Sequence, residues 1–412
     1  MPPARIRTRR LPPSRRGSEA DDVEALHVLA RRSFVKATGL SGAALLALRR
    51  EAFALQAPPA APAAALPPPR LLLHNNENPL GPGEAVLTAV RAELKDGGPA
   101  GRYPFKNSEA LFKAIADRYG VKPDNVVLGC GSTQVLTSAV QMFTSTTKPL
   151  VSGIPSYEEA MDYAERIGTP VRAIPLDAQM KLDLNAMADA SKGAGLVFVN
   201  NPNNPTATLW GGDAIAAFID KVLKLSPDTT ILLDEAYHDY VTDPSHRTQI
   251  PLAAKNPRVI VARTFSKAHG MAGMRTGYAI GHADTIKKIA AWEGGGFLNV
   301  PGLIAGTVSI KDQARLDAER ARNTEARKFT IDWFAARGYP STDSQCNFIF
   351  VNLKRPCKEF REACRKEGLL VARDFPPYEK SHCRISIGTI EEMRQATEVF
   401  GRALAAAPAK AA

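Results

Sequence analysis

Cysteine is scarce in this chain and scattered. Cys130, Cys346, Cys357, Cys364 and Cys383 form no C-x-x-C pair and have no companion histidines at zinc-finger spacing. Neither a metal site nor a disulfide framework is indicated, and the odd count leaves at least one thiol unpaired within a monomer. Long apolar runs are missing too. The apolar stretch Ala37 to Leu48 is closed by Arg49-Arg50 and falls well short of the ~20 residues that cross a bilayer as a helix, so no permanent membrane anchor is expected. Acidic residues are outnumbered, 42 against 53 Lys and Arg, for a net charge of +11. That excess does not point to a nucleic-acid partner, because residues 1–56 alone hold 11 basic and 5 acidic residues and show no helix-turn-helix pattern. No internal repeat is evident. What is present, 44% hydrophobic and 23% charged residues over 412 positions, is the balance of a globular chain with one large or two ordinary domains.

The first 69 residues read as address and tether. An Arg-rich opening leads to Arg31-Arg32-Ser33-Phe34-Val35-Lys36, then to the apolar block, then to Ala52-Phe53-Ala54. Positive region, short apolar core and small-residue cleavage site come in the order of an export signal. The run from Arg31 to Lys36 resembles the twin-arginine signal, which implies export to the periplasm and a mature chain starting near Leu55. A solvated basic tail is the plainer alternative. Residues 57–69, almost entirely Ala and Pro, form a stiff extended linker.

From Arg70 onward, short β-rich runs alternate with helical periods. Val126 to Cys130, Leu196 to Asn200, Thr230 to Asp234, Arg258 to Thr264 and Gly277 to Gly281 suit strands buried on both faces. Thr133 to Phe143, Tyr157 to Ile167 and Asp213 to Leu225 have helical spacing. The expected fold class is α/β, a three-layer large domain with a mainly parallel sheet between helices. The last third reads as a smaller α+β domain: helices at Asp312 to Ala336, Cys357 to Glu367 and Glu391 to Ala406, strands at Phe348 to Asn352 and Arg384 to Ile387.

Four polar clusters fall at the ends of the expected strands, where open α/β sheets place their ligands. Gly129-Cys130-Gly131-Ser132-Thr133 opens a helix and can hold a phosphate on free backbone N–H groups, although a Gly-rich turn alone is equally just a turn. Asn200 to Ala207 has two X-Pro steps, a rigid corner able to aim an amide. Asp234-Glu235-Ala236-Tyr237 ends a strand in a carboxylate, which either caps the next helix or holds a proton on a cofactor ring. Arg263 to Tyr278 sets Lys267 and Arg275 among hydroxyls and glycines that let a planar group approach the backbone.

The ordered motifs NENPLG, RYP, GCGST, PSY, NPNNPT, DEAY, SKxxGxxGxRxGY, NF and RISIG, from Asn76 to Gly388, resemble those of fold-type I pyridoxal-phosphate aminotransferases, within them the histidinol-phosphate aminotransferase family. The resemblance implies pyridoxal 5'-phosphate as cofactor and Lys267 as the lysine that forms an imine with it and later moves a proton. It implies that Asp234 keeps the ring nitrogen protonated, that Tyr237 and Asn204 hydrogen-bond the phenolic oxygen, and that Tyr157 stacks on the ring. Gly131, Ser132, Thr133, Thr264, Ser266 and Arg275 are the implied phosphate ligands. Arg384 is the implied anchor for a substrate anion, with Asn78, Asn347 and Arg373 nearby. Tyr103 is the implied residue crossing a homodimer interface to the neighbour's cofactor.

The implied division is a leader at 1–54, a linker at 55–69, an N-terminal segment at 70–100 joining the small domain, a large domain at 101–300 and a small domain at 301–412. Two features depart from the family: Ala207 replaces the glycine usual after NPT, and Gly294-Gly295-Gly296 stands in a loop facing the expected pocket. The expected activity is transfer of an amino group from an amino acid or amino phosphate to a 2-oxo acid. Another pyridoxal-phosphate reaction, such as decarboxylation of a related amine, is the alternative.

Overall fold

The computed structural model describes residues 70–292 and 298–405. The leader, its twin-arginine-like motif, the Ala/Pro linker and Gly294–Gly296 lie outside the described residues.

Eleven strands run through the described residues: β1 (Leu71–Leu73), β2 (Val126–Gly129), β3 (Leu150–Ile154), β4 (Val171–Pro175), β5 (Leu196–Asn200), β6 (Thr230–Asp234), β7 (Val259–Thr264), β8 (Gly277–Gly281), β9 (Phe348–Asn352), β10 (Leu369–Val371) and β11 (His382–Ser386). Seven form one sheet in the order β2-β8-β7-β6-β5-β3-β4. Only β8 runs against its neighbours, pairing antiparallel with β2 and β7. The mainly parallel arrangement suits the composition: β2, β5, β6, β7 and β8 are buried along their whole length, β2, β5 and β7 are rich in Val, and helices cover both faces. One apolar layer contains Leu111, Val199, Leu233, Val261 and Leu303. The other contains Val135, Leu136, Phe198, Leu232 and Ile260, so alternate residues of each strand feed opposite layers. Mixed α/β architecture around a mainly parallel sheet is thus the fold.

A further core, with Leu73, Phe334, Ile349, Phe360, Cys364, Ile385 and Phe400, lies under the antiparallel β9–β11 pair and the parallel β1–β10 pair. The helix Gln313–Ala335 is long enough, about 35 Å at 1.5 Å per residue, to take part in more than one cluster. Its Leu316 packs with Tyr237, Tyr240 and Phe348, while Ala326 and Phe334 join the C-terminal core. The segments 70–100 and 301–412 each supply both large and small cores, since Val86 and Val90, like Leu303 and Ile304, pack under the main sheet.

Several helix starts follow from side-chain capping. Asp183, Asn299 and Asp312 accept the N–H groups of Ala186, Gly302 and Arg315 at 2.9, 2.7 and 3.0 Å. Several expected boundaries shift by a residue or two, and three of these bear on the site. The helix expected from Tyr157 begins at Glu159, leaving Tyr157 in the preceding turn. The strand expected from Arg384 begins at His382, which centres Arg384 opposite Phe350. The strand expected to reach Cys130 stops at Gly129, because Cys130 is already the N-cap of the next helix.

Candidate active site

The parallel register aligns Asn200 with Asp234 and Asp234 with Ala262, while Thr264 faces Gly277 across β7 and β8. The carboxyl edge of the sheet therefore carries one amide and one carboxylate side by side. Asp234 is 2% exposed and accepts the Ala236 N–H at 3.2 Å. It caps no helix, for the following 3-10 turn His238–Tyr240 takes Tyr237 as its N-cap. Burial pushes its carboxyl up to about 7 against the pull of the Ala236 N–H and of Lys267.

Lys267 stands just past β7. Its Nζ donates to the Asn75 carbonyl at 3.2 Å and lies 5.8 Å from the centre of the Tyr237 ring. Burial first, then the Arg384 guanidinium, lowers its ammonium to about 8, so near neutrality it has a share of free amine that a surface lysine lacks. Tyr237 accepts from Asn76 Nδ2 at 3.2 Å and sits edge-on to Phe348 at 5.1 Å. Arg384, buried, donates Nη1 to Asn204 Oδ1 at 2.7 Å and Nη2 to the His74 carbonyl at 2.6 Å, and its Nε has no hydrogen-bond partner. An unpaired buried donor on a cation is costly unless an anion reaches it.

A candidate anion-binding end forms where β2 meets the helix Gly131–Phe143. No side chain caps that helix, so its first N–H groups and its dipole face outward. Gly131 has φ 74°, and a Cβ there would stand 2.5 Å from Arg275 Nη2. Only glycine lets the guanidinium lie over the helix terminus. Gly277 is held as firmly, since its Cβ would meet the Ser132 nitrogen at 2.2 Å. Arg275 is in the left-handed region at φ 50°, ψ 58°, rare for a residue with a Cβ. Its Nη1 reaches the Ala272 carbonyl at 3.1 Å and Ser266 Oγ at 3.4 Å, and the Ser266 N–H donates to Thr264 Oγ1 at 3.1 Å. Thr133 Oγ1 lies 3.4 Å from the Tyr157 hydroxyl. A free helix terminus under a guanidinium, a buried carboxylate and a lysine amine of lowered basicity suit a phosphorylated aldehyde with a basic ring nitrogen.

The remaining expected residues divide into those that brace the site and those at its margin. Asn78 donates to the Ala268 carbonyl at 3.0 Å and accepts from the Leu80 N–H at 2.9 Å. Asn347 donates to the Asn76 carbonyl at 3.0 Å and keeps a buried Oδ1 without a partner. Arg373 is exposed and ion-paired with Glu158. Tyr103 is 74% exposed, its ring 6.1 Å from that of Phe105. Ala207, at the position where a glycine was expected, takes φ 61° while fully buried. The sequence reading missed Asn76 and Ser386, which lock together: Asn76 N–H donates to Ser386 Oγ at 2.8 Å, and that hydroxyl donates to Asn76 Oδ1 at 2.9 Å. Both stand inside motifs already singled out, NENPLG and RISIG, so the motifs themselves held the signal. Among the described residues no group of three or more His, Cys, Asp or Glu is arranged to hold a metal ion, and no helix is long and apolar enough to cross a membrane.

Residues 68–400 match the family described as aminotransferase class I and II. A histidinol-phosphate aminotransferase of Moorella thermoacetica is 32% identical over 335 residues, 81% of this chain and 84% of that protein. One from Anaeromyxobacter sp. (strain Fw109-5) is 32% identical over 337 residues, 81% of this chain and 91% of its own. Among solved structures, the histidinol-phosphate aminotransferase from Sinorhizobium meliloti in complex with pyridoxal-5'-phosphate superposes with a TM-score of 0.75 at 24% identity, covering 82% of this chain and 91% of that one.

Proposed function

From the premise that the chain belongs to the class I and II aminotransferases and is a pyridoxal-phosphate-dependent transaminase, we propose that it moves an amino group from a donor bearing an anionic group to a 2-oxo acid, as a histidinol-phosphate aminotransferase-like enzyme. The observation that carries this is the convergence of Lys267, Asp234, Tyr237 and Arg384 at one sheet edge, beside an uncapped helix terminus under Arg275. When bound, pyridoxal phosphate supplies an aldehyde that condenses with amines and a ring that draws electrons from the carbon bearing the amine. Lys267 Nζ would hold the cofactor's aldehyde end and would serve as the base and acid at the substrate α-carbon. Asp234 would hold a proton on the ring nitrogen by its charge. Tyr237 and Asn204 would hydrogen-bond the phenolic oxygen, Tyr157 would lie against the ring, and Arg275, Ser266, Thr264 and the Gly131–Thr133 turn would take the phosphate. Arg384 takes the substrate's anionic group, with Asn78, Asn347 and Arg373 around it.

The same reading makes the active species a homodimer, with Tyr103 contributed across the interface, and places the mature enzyme beyond the cytoplasm, delivered folded through the leader. Support for delivery is the order of the leader's segments. Replacing Arg31 and Arg32 by Lys is expected to strand active enzyme in the cytoplasm, and undiminished periplasmic delivery would refute that route. The test of the reaction is a panel of amino donors mixed with purified enzyme. A matching donor converts the bound cofactor from its aldehyde to its amine form, read by absorbance. Release of carbon dioxide with no amine form would favour decarboxylation instead.

A further inference from the structure

Two arginines of the C-terminal part share one aromatic ring. Arg384 Cζ lies 4.9 Å and Arg373 Cζ 4.5 Å from the centre of Phe375, and Arg384 is also 5.5 Å from the centre of Phe348. Both guanidiniums thus rest on one apolar support. Arg373 already has an anion. Its Nη1 donates to Glu158 Oε1 at 3.1 Å and to the Asp374 carbonyl at 3.0 Å, and its Nη2 pairs with Glu158 Oε2. Glu158 comes from the other side of the sequence, directly after Tyr157, whose hydroxyl lies near Thr133 in the anion-binding end. Tyr157 packs against the apolar layer of the main sheet.

We propose that Glu158 sets the charge this pocket accepts, favouring a substrate whose distal group is a monoanionic carboxylate over one bearing a dianionic phosphomonoester. The proposal rests on the assignment of Arg384 as the substrate's anion anchor and, within the aminotransferase reading, sets the donor apart from the phosphate ester for which the histidinol-phosphate relatives are named. Among these three side chains, two guanidiniums less one carboxylate leave a single positive charge. A carboxylate balances it, whereas a phosphomonoester brings a second negative charge beside Glu158, next to Phe348 and Phe375, where an unbalanced charge is poorly solvated. The pair is partly exposed, with side chains 58% and 35% accessible, so its own contribution to stability is small. Position 158 can therefore change without threatening the fold.

Binding of two unreactive aryl anions to the holoenzyme tests this. Phenyl phosphate is close to a dianion at pH 8 and benzoate is a monoanion, and calorimetric titration reads both. In the unmodified enzyme benzoate is expected to bind at least as tightly as phenyl phosphate. Glu158→Gln is expected to tighten phenyl phosphate roughly tenfold, a single like charge removed at short range, and benzoate by a clearly smaller factor. Adding Arg373→Gln to that variant should cancel the gain. Equal shifts for both ligands, an unchanged phenyl phosphate affinity, or tighter phenyl phosphate than benzoate binding in the unmodified enzyme would overturn the proposal. If the expected shifts occur while no donor converts the cofactor, the charge filter stands and the aminotransferase reading fails.

Discussion

Asp234→Asn in cofactor-stripped protein isolates the electrostatics of the site. The carboxyl has a native pKa of about 7 against an ordinary 3.8, chiefly through burial. Between those values the native protein holds a proton that the unfolded chain releases, so this group's effect on stability becomes steadily less favourable as pH rises from about 4 to about 7, and then levels off. At 1.36 kcal/mol per unit, the ionised carboxylate costs the stripped native state roughly 4 kcal/mol at pH 8 and about 2 kcal/mol at pH 5.5. Asparagine keeps the shape without the charge. The variant's stability relative to the parent should therefore be about 2 kcal/mol more favourable at pH 8 than at pH 5.5, with other titrating groups cancelling at each pH. Urea unfolding followed by tryptophan fluorescence at both pH values measures it; the chain has three tryptophans. Saturating pyridoxal phosphate should reverse the sign at pH 8, because a protonated ring nitrogen then rewards the charge. A difference that does not change with pH in the stripped proteins would refute the reasoning, since Asp234 would then be an ordinary solvated or capping carboxylate.

Three further outcomes follow from the same geometry. Gly131→Ala forces a Cβ against Arg275 and strains a left-handed turn, and losing one charge-assisted contact should weaken cofactor binding by about 10- to 100-fold in fluorescence titration; unchanged affinity would remove Arg275 from the phosphate site. Arg263, 2% exposed, holds Glu235 through two hydrogen bonds at 3.0 and 2.6 Å directly behind Asp234, so Arg263→Leu should cost about 3–5 kcal/mol in urea unfolding, the toll of leaving a buried charge unpaired. Because Lys267 reacts as its free amine and loses its proton near pH 8, capture of pyridoxal phosphate by stripped protein should quicken about tenfold per pH unit up to about 8 and then flatten. A rise continuing to pH 10 would mark an ordinary lysine.

Much of the fold was legible because buried parallel strands are short β-branched runs with clear stops. β5, β6, β8 and β9 have the bounds read from the chain. β3 and β4 were not legible. β3, Leu-Val-Ser-Gly-Ile, breaks its apolar run with Ser and Gly, and β4 is a half-exposed edge strand ending in Pro175, a place that tolerates proline. The placement of Asp234 and Lys267 was legible because each stands at or just past the end of a clear apolar run, β6 and β7. Pairings between distant segments were not. Nothing local joins Arg373 to Glu158, 215 positions apart, or turns Asn78 into a brace between Ala268 and Leu80. Such contacts exist only after the sheet and the C-terminal core have folded. Likewise, of the two readings left open for Asp234, the helix cap is absent because the chain after β6 makes a 3-10 turn that starts at His238 with Tyr237 as its N-cap.

The central claim is that Lys267 is the residue that holds the cofactor. Borohydride reduction of the holoenzyme fixes pyridoxal phosphate to whichever lysine carries it, and peptide mass spectrometry locates the added mass. The label is expected on Lys267 alone, in the peptide containing Ser266 and Ala268. A label on any other lysine, or no stable label after reduction of fully loaded enzyme, would contradict it.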